Sequence, residues 1–217
     1  MRPLLAAAGH QFLTPTYTGL GERAHLASPK NDLETHIQDI VGVLEFEDLR
    51  NVVLLAHSYG GMVATGVSDR AHERVAEIIY LDAFVPENGQ ALIDFLPQHD
   101  RRRLLDSVNA GDGWRVTPNP IPPDTSDADR AWIAKLRMPQ SAKCFEQPIH
   151  LRTKQTLPRT YIQCMRYADR SPFGQFATRA RGEGWPAYEL DASHSPNITA
   201  PRALMELLQR NLSDKAR

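Results

Sequence analysis

Ser58 is the residue around which chemistry could be built. It stands in Ala56-His57-Ser58-Tyr59-Gly60-Gly61, between a short apolar run and a helical pattern. A serine on a tight turn from a buried strand into a helix is lifted clear of the strand ends. The helix behind it aims its N-terminal amides at the reacting centre. Such a turn needs small neighbours: Gly60 meets the requirement, and Ala56 stands where a first glycine is usual. The Tyr59 backbone amide would then donate to an oxyanion developing on an acyl carbon. The hydroxyl also needs a base. Of the eight histidines, His194 is best placed, in Leu190-Asp191-Ala192-Ser193-His194-Ser195-Pro196. It follows the last predicted strand, and the chain order serine, acid, histidine suits a strand–turn–helix nucleophile. His57 adjoins the serine and is expected to pack aside. His10, His25, His36, His72, His99 and His150 read as surface or loop residues. For the acid, Asp169 in Cys164-Met165-Arg166-Tyr167-Ala168-Asp169-Arg170 is preferred, with Asp82 in Tyr80-Leu81-Asp82-Ala83 as the alternative. Asp191 is too near His194 along the chain.

These side chains need a scaffold. Residues 11–15 (QFLTP) read as a strand, and 32–46 as a helix capped by Asn31 or Asp32. Residues 51–56 (NVVLLA) have the continuous apolar run of a strand covered on both faces. A helix over 60–70 and a strand over 75–82 follow. After a polar, proline-rich stretch the alternation resumes, with strands at 159–165 and 186–190. Helices are predicted over 172–182 and 200–212, the last with Pro201 at its start. The pattern predicts an α/β fold, a mostly parallel sheet flanked by helices. Residues 1–84 and 151–217 form its core, and 85–150 a helical cap with amphipathic pieces at 90–108 and 127–137.

The 217 residues suit one such domain, and 41% hydrophobic with 24% charged content is ordinary for a globular chain. A net charge of −1 gives no pull toward nucleic acid or an anionic membrane. No apolar run is long enough for a membrane span or a convincing signal peptide, since Met1–Gly9 reads as a helix ending at Gly9. A cytoplasmic setting is therefore expected. Cys144 and Cys164 show no ligand spacing, so no metal is implied. Gly19-Leu20-Gly21-Glu22-Arg23-Ala24 matches a dinucleotide fingerprint in form, but the residues after it do not open a helix that could seat a phosphate. Asn197-Ile198-Thr199 is a glycosylation sequon in form only. Arg101-Arg102-Arg103 reads as a solvated helix face.

Thr18-Gly19-Leu20-Gly21-Glu22-Arg23, AHSYGG at 56–61, YLDAFVPENGQ at 80–90, PRTYIQC at 158–164 and the His194 loop together carry a resemblance. The sequence resembles bacterial α/β-hydrolases related to plant methyl-ester esterases and hydroxynitrile lyases, over nearly its whole length. The resemblance implies a cap over the active site, small carboxylic ester substrates and no cofactor. Two features depart from it. The family's N-terminal strands and His-Gly loop, which supplies a second oxyanion amide, are missing ahead of the helix at Met1. The strand so lost would lie between 11–15 and 51–56. Either those segments close up, or another chain fills the gap, or residues precede Met1. Tyr167 or Ala168 stands where the family's acid is usual.

The function expected is hydrolysis of a small carboxylic ester through an acyl-enzyme. Trp114, Trp132, Phe95 and Leu96 of the cap are pocket walls or, preferably, cap core. A hydroxynitrile lyase is the enzymatic alternative. Ser195 stands against it, where related lyases carry a lysine. A non-catalytic small-ligand binder is a third reading. An unpaired central strand favours a homodimer.

Overall fold

The computed structural model describes residues 1–215. Helix α1 (Arg2–Ala7) is followed by an irregular stretch and a 3-10 turn over Gly21–Leu26. Helix α2 (Leu33–Phe46) starts at Asp32, whose carboxylate accepts the Thr35 amide at 2.9 Å and so satisfies an otherwise orphaned donor. It buries Leu33, His36, Ile37, Val41 and Leu44, one helical stripe. Strand β1 (Val52–Ser58) runs into α3 (Gly60–Arg70), and β2 (Val75–Ala83) follows.

Residues 84–158 hold a short 3-10 turn (Leu92–Phe95) and α4 (Gln98–Ala110). The two-residue strands β3 (Arg115–Val116) and β4 (Gln140–Ser141) pair antiparallel around α5 (Asp127–Leu136), and α6 (Lys143–Glu146) comes next. The chain returns through β5 (Arg159–Cys164), α7 (Gly174–Gly182), β6 (Ala187–Leu190), α8 (Pro196–Thr199) and α9 (Pro201–Lys215).

The main sheet has the order β1-β2-β5-β6, parallel throughout. Its period-2 alternation sorts the core into two layers. Ile78, Tyr80 and Tyr161 face a cluster with α2, α3 and α7. Ile79, Leu81, Ile162 and Leu190 face Leu204, Leu207 and Leu208 of α9.

One expectation is corrected. Residues 11–15 form no strand, and β1 is the outer member of the sheet, with no neighbour on its far side among the described residues. A strand needs a partner for its backbone groups, and 11–15 has none beside it. Strand β1 does pack on both faces, Leu54 and Ala56 toward one cluster and Leu55 toward the other, but as the edge strand it is only partly buried. Val53 is 37% exposed, whereas β2, between two neighbours, is buried almost end to end. Among the described residues no helix is long and apolar enough to cross a membrane.

Candidate active site

The turn between β1 and α3 is tight. Ser58 has φ 55°, a left-handed value that side chains seldom adopt, so the turn holds the serine in a strained conformation. The glycine that makes the turn possible is Gly61, one residue past the position favoured on sequence grounds. A β-carbon on Gly61 would lie 2.0 Å from the Phe84 carbonyl oxygen, while one on Gly60 would meet nothing closer than 3.7 Å. Bare at Gly61, α3 packs against the end of β2, and the Phe84 amide donates to the Ser58 carbonyl at 3.2 Å.

His194 comes from the loop after β6. Its Nε2 lies 3.0 Å from Ser58 Oγ and its Nδ1 lies 2.7 Å from Asp82 Oδ2. With Asp82 ionised, Nδ1–H donates to the carboxylate and Nε2 is left to accept the serine proton. Asp82 ends β2 at φ 43°, is 2% exposed, and takes a further hydrogen bond from the Cys164 amide at 3.1 Å. The imidazole is held from other sides too. Phe173 stacks on it with centroids 4.8 Å apart and planes 9° from parallel. His57, 4.6 Å away ring to ring, donates Nε2–H to the His194 carbonyl. Desolvation, and after it the proximity of His194, lower the His57 pKa to about 3, so His57 serves as a neutral donor.

Asp169, the preferred acid on sequence grounds, stands exposed in the 3-10 turn Ala168–Arg170. The imidazole nitrogen it was expected to hold is taken by Asp82, the alternative. The reason lies in the backbone. Asp82 turns inward at the strand end, while Tyr167, at φ 66°, leads the loop after β5 outward. Asp191 is exposed and paired with Arg166.

One histidine breaks the surface reading. His36 is 1% exposed. Its Nε2–H donates to the Thr18 carbonyl at 3.1 Å, which leaves Nδ1 to accept from the Tyr59 hydroxyl at 2.9 Å. Burial lowers its pKa. Its place among Leu33, Ile37, Val41 and Leu44 on the apolar stripe of α2 was a readable signal. Phe173 had none, because its contact with His194 bridges two loops.

The Alpha/beta hydrolase family description matches residues 1–207. The chain belongs to the alpha/beta hydrolase family. A carbendazim hydrolyzing esterase from Nocardioides sp. (strain SG-4G) is 38% identical over 216 residues, covering 94% of this chain and 89% of the relative. Among solved structures, an extracellular alpha/beta-hydrolase from a Paenibacillus species aligns with TM-score 0.82 at 24% identity. That alignment covers 96% of this chain and 90% of that one. A methylesterase from Arabidopsis aligns with TM-score 0.70 at 22% identity, covering 98% and 91%. Both likenesses show the shared fold.

In this hydrolase the expected cap aromatics divide. Phe95 and Leu96 pack against the core, Phe95 on Phe84 and Phe176. Trp132 is 57% exposed, and Trp114 lies under the Arg115 guanidinium. The Gly19–Ala24 motif opens only the 3-10 turn, and the amide and hydroxyl of Thr18 just before it donate to the Asp39 carboxylate.

Proposed function

We propose that this enzyme hydrolyses small carboxylic esters through an acyl-enzyme on Ser58. The observation that supports the reading is the unbroken hydrogen-bonded chain Ser58–His194–Asp82 at the carboxyl ends of the parallel strands. His194 Nε2 takes the Ser58 proton as Oγ bonds to the ester carbon, and the carbonyl π pair moves onto oxygen. The Tyr59 amide, at the head of α3, donates to that oxyanion. Collapse breaks the acyl carbon–oxygen bond, and the leaving alkoxide takes the proton from His194. Water, deprotonated by His194, then attacks the acyl group, and Ser58 leaves with the proton returned to it. Asp82 keeps Nδ1–H in place and stabilises the imidazolium formed in each half-reaction.

Residues 85–150 act as the lid in this reading. Phe145 packs on Tyr59 at 5.6 Å between centroids, and the Gly21 amide donates to Met138 Sδ. Both contacts tie that segment to the loop and turn beside the serine.

The test is hydrolysis of p-nitrophenyl acetate and butyrate by the chain and by Ser58→Ala. The variant is expected to lose about 10⁶-fold in kcat. Equal rates in both would overturn the reading. The open edge of β1 supports a homodimer in solution. Light scattering should give twice the chain mass, and a stable monomer rules the dimer out.

A further inference from the structure

We propose that the Tyr17 hydroxyl is the second hydrogen-bond donor to the oxyanion, beside the Tyr59 amide. The inference rests on the ester-hydrolase reading of Ser58 and His194. The turn contributes one oxyanion donor of its own, and each preorganised donor is worth about 10²–10³ in kcat. Tyr17 brings another donor to the same turn. For a β-carbon placed on Gly60, Tyr17 Oη at 3.7 Å would be the single neighbour within 4 Å. The phenol thus faces the first turn of α3, one residue beyond the Tyr59 amide, across a space that glycine leaves open.

This hydroxyl is uncommitted. Among the described residues Tyr17 Oη has no hydrogen-bond partner. The other tyrosine hydroxyls of the same core cluster are taken: Tyr59 by His36, Tyr80 by Thr65, Tyr161 by the Ala83 carbonyl. The hydroxyl of this half-buried ring is not committed to another protein group and is free to donate to an arriving oxyanion.

The ring is also fixed. It stacks on His36 with centroids 4.7 Å apart and planes 12° from parallel, and meets Tyr59 edge-on at 6.1 Å. The next residue is pinned by three contacts: its amide and hydroxyl on Asp39, its carbonyl under His36. A donor held this way needs no reorganisation as charge develops. Burial, and after it the Asp39 carboxylate, push the phenol pKa up, so the proton stays in place at neutral and mildly alkaline pH. The Thr18–Arg23 motif thereby acquires a role, since it fixes the backbone next to Tyr17.

The experiment is Tyr17→Phe in the full chain, with two readouts. The first is p-nitrophenyl butyrate hydrolysis. The second is inhibition by phenyl trifluoromethyl ketone, to whose carbon Ser58 Oγ adds, leaving an alkoxide where the oxyanion forms. We expect kcat to fall about 100-fold with KM within about 2-fold. The inhibition constant should rise by the factor that kcat/KM loses. Unchanged kcat in Tyr17→Phe, with Ser58→Ala inactive, overturns the role of Tyr17 alone. So does a fall in kcat that leaves ketone inhibition unmoved. Full activity in Ser58→Ala overturns the ester-hydrolase reading and the role of Tyr17 with it.

Discussion

The ends of β2 and β5 lie side by side in the sheet, and each leads into a loop with a carboxylate. At β2 the chain turns at Asp82, buried, with one oxygen on His194 and the other on the Cys164 amide. At β5 it turns at Tyr167, and Met165, Arg166, Tyr167 and Asp169 all face solvent. The two ends differ in what packs on them. Helix α3 comes within contact of the β2 end because Gly61 has no side chain, and the His194 loop closes over it. The β5 end supplies an amide to its neighbour's carboxylate. Which of two adjacent strand ends holds the carboxylate on His194 is therefore set by backbone direction and close packing. Distance along the chain from the histidine does not decide it.

The sharpest way to break that comparison is to neutralise each carboxylate in turn. Asp82→Asn should leave the fold intact and lower kcat about 10⁴-fold, because the amide no longer favours the productive imidazole tautomer. Asp169→Asn should stay within about 2-fold of wild type. Rates on p-nitrophenyl butyrate decide it, and the reverse ranking would return the acid role to the β5 loop.

Much of this site was readable beforehand. The apolar run ending in Ser58, the helix after it and the His194 loop are local signals. Each lies within about seven residues of the chain and needs no knowledge of packing. Asp82 was readable only as an alternative, since its advantage is a φ of 43° and the burial of one strand end. The strand expected at 11–15 failed because strands, unlike helices, borrow their hydrogen bonds from elsewhere in the chain. His36 was misjudged by residue type although its spacing on α2 placed it inside. His57 was expected to pack aside. It does so, onto the His194 carbonyl, a contact across 137 positions that no local pattern contains.

The packing of α3 on the β2 end gives the next test. Gly61→Ala would force a methyl to within 2.0 Å of the Phe84 carbonyl, which is backbone and cannot rotate away. Overpacking of this kind costs about 1–3 kcal/mol or more, and here it should also push Asp82 and Ser58 apart. Gly60→Ala, with only ordinary contact distances, should change stability by less than about 1 kcal/mol. Urea unfolding of the two variants separates them, and equal stability would mean that α3 does not depend on Gly61 for its seat.

The smallest effect concerns the histidine that ties the two halves of the site together. His57 keeps its native pKa near 3, against an ordinary value of 6.5, and burial lowers His36 as well. Unfolding exposes both rings, so below pH 6.5 the unfolded chain binds protons that the native one refuses. Their stability contribution is complete above about pH 6.5 and is lost as pH falls toward the native values. His57 should contribute a slope of up to about 1.4 kcal/mol per pH unit in that window, and His36 adds in the same direction. The depressed carboxylates, such as Asp69 and Glu34, act in the same direction but only at lower pH, near and below their ordinary values of 3.8 and 4.5. Urea unfolding at pH 6.5 and 5.3 therefore isolates the histidines. His57→Gln keeps an N–H donor without a titrating group, and it should flatten the slope. An unchanged slope in that variant would show that His57 is protonated in the native enzyme, and its hold on the His194 carbonyl would then need a different explanation.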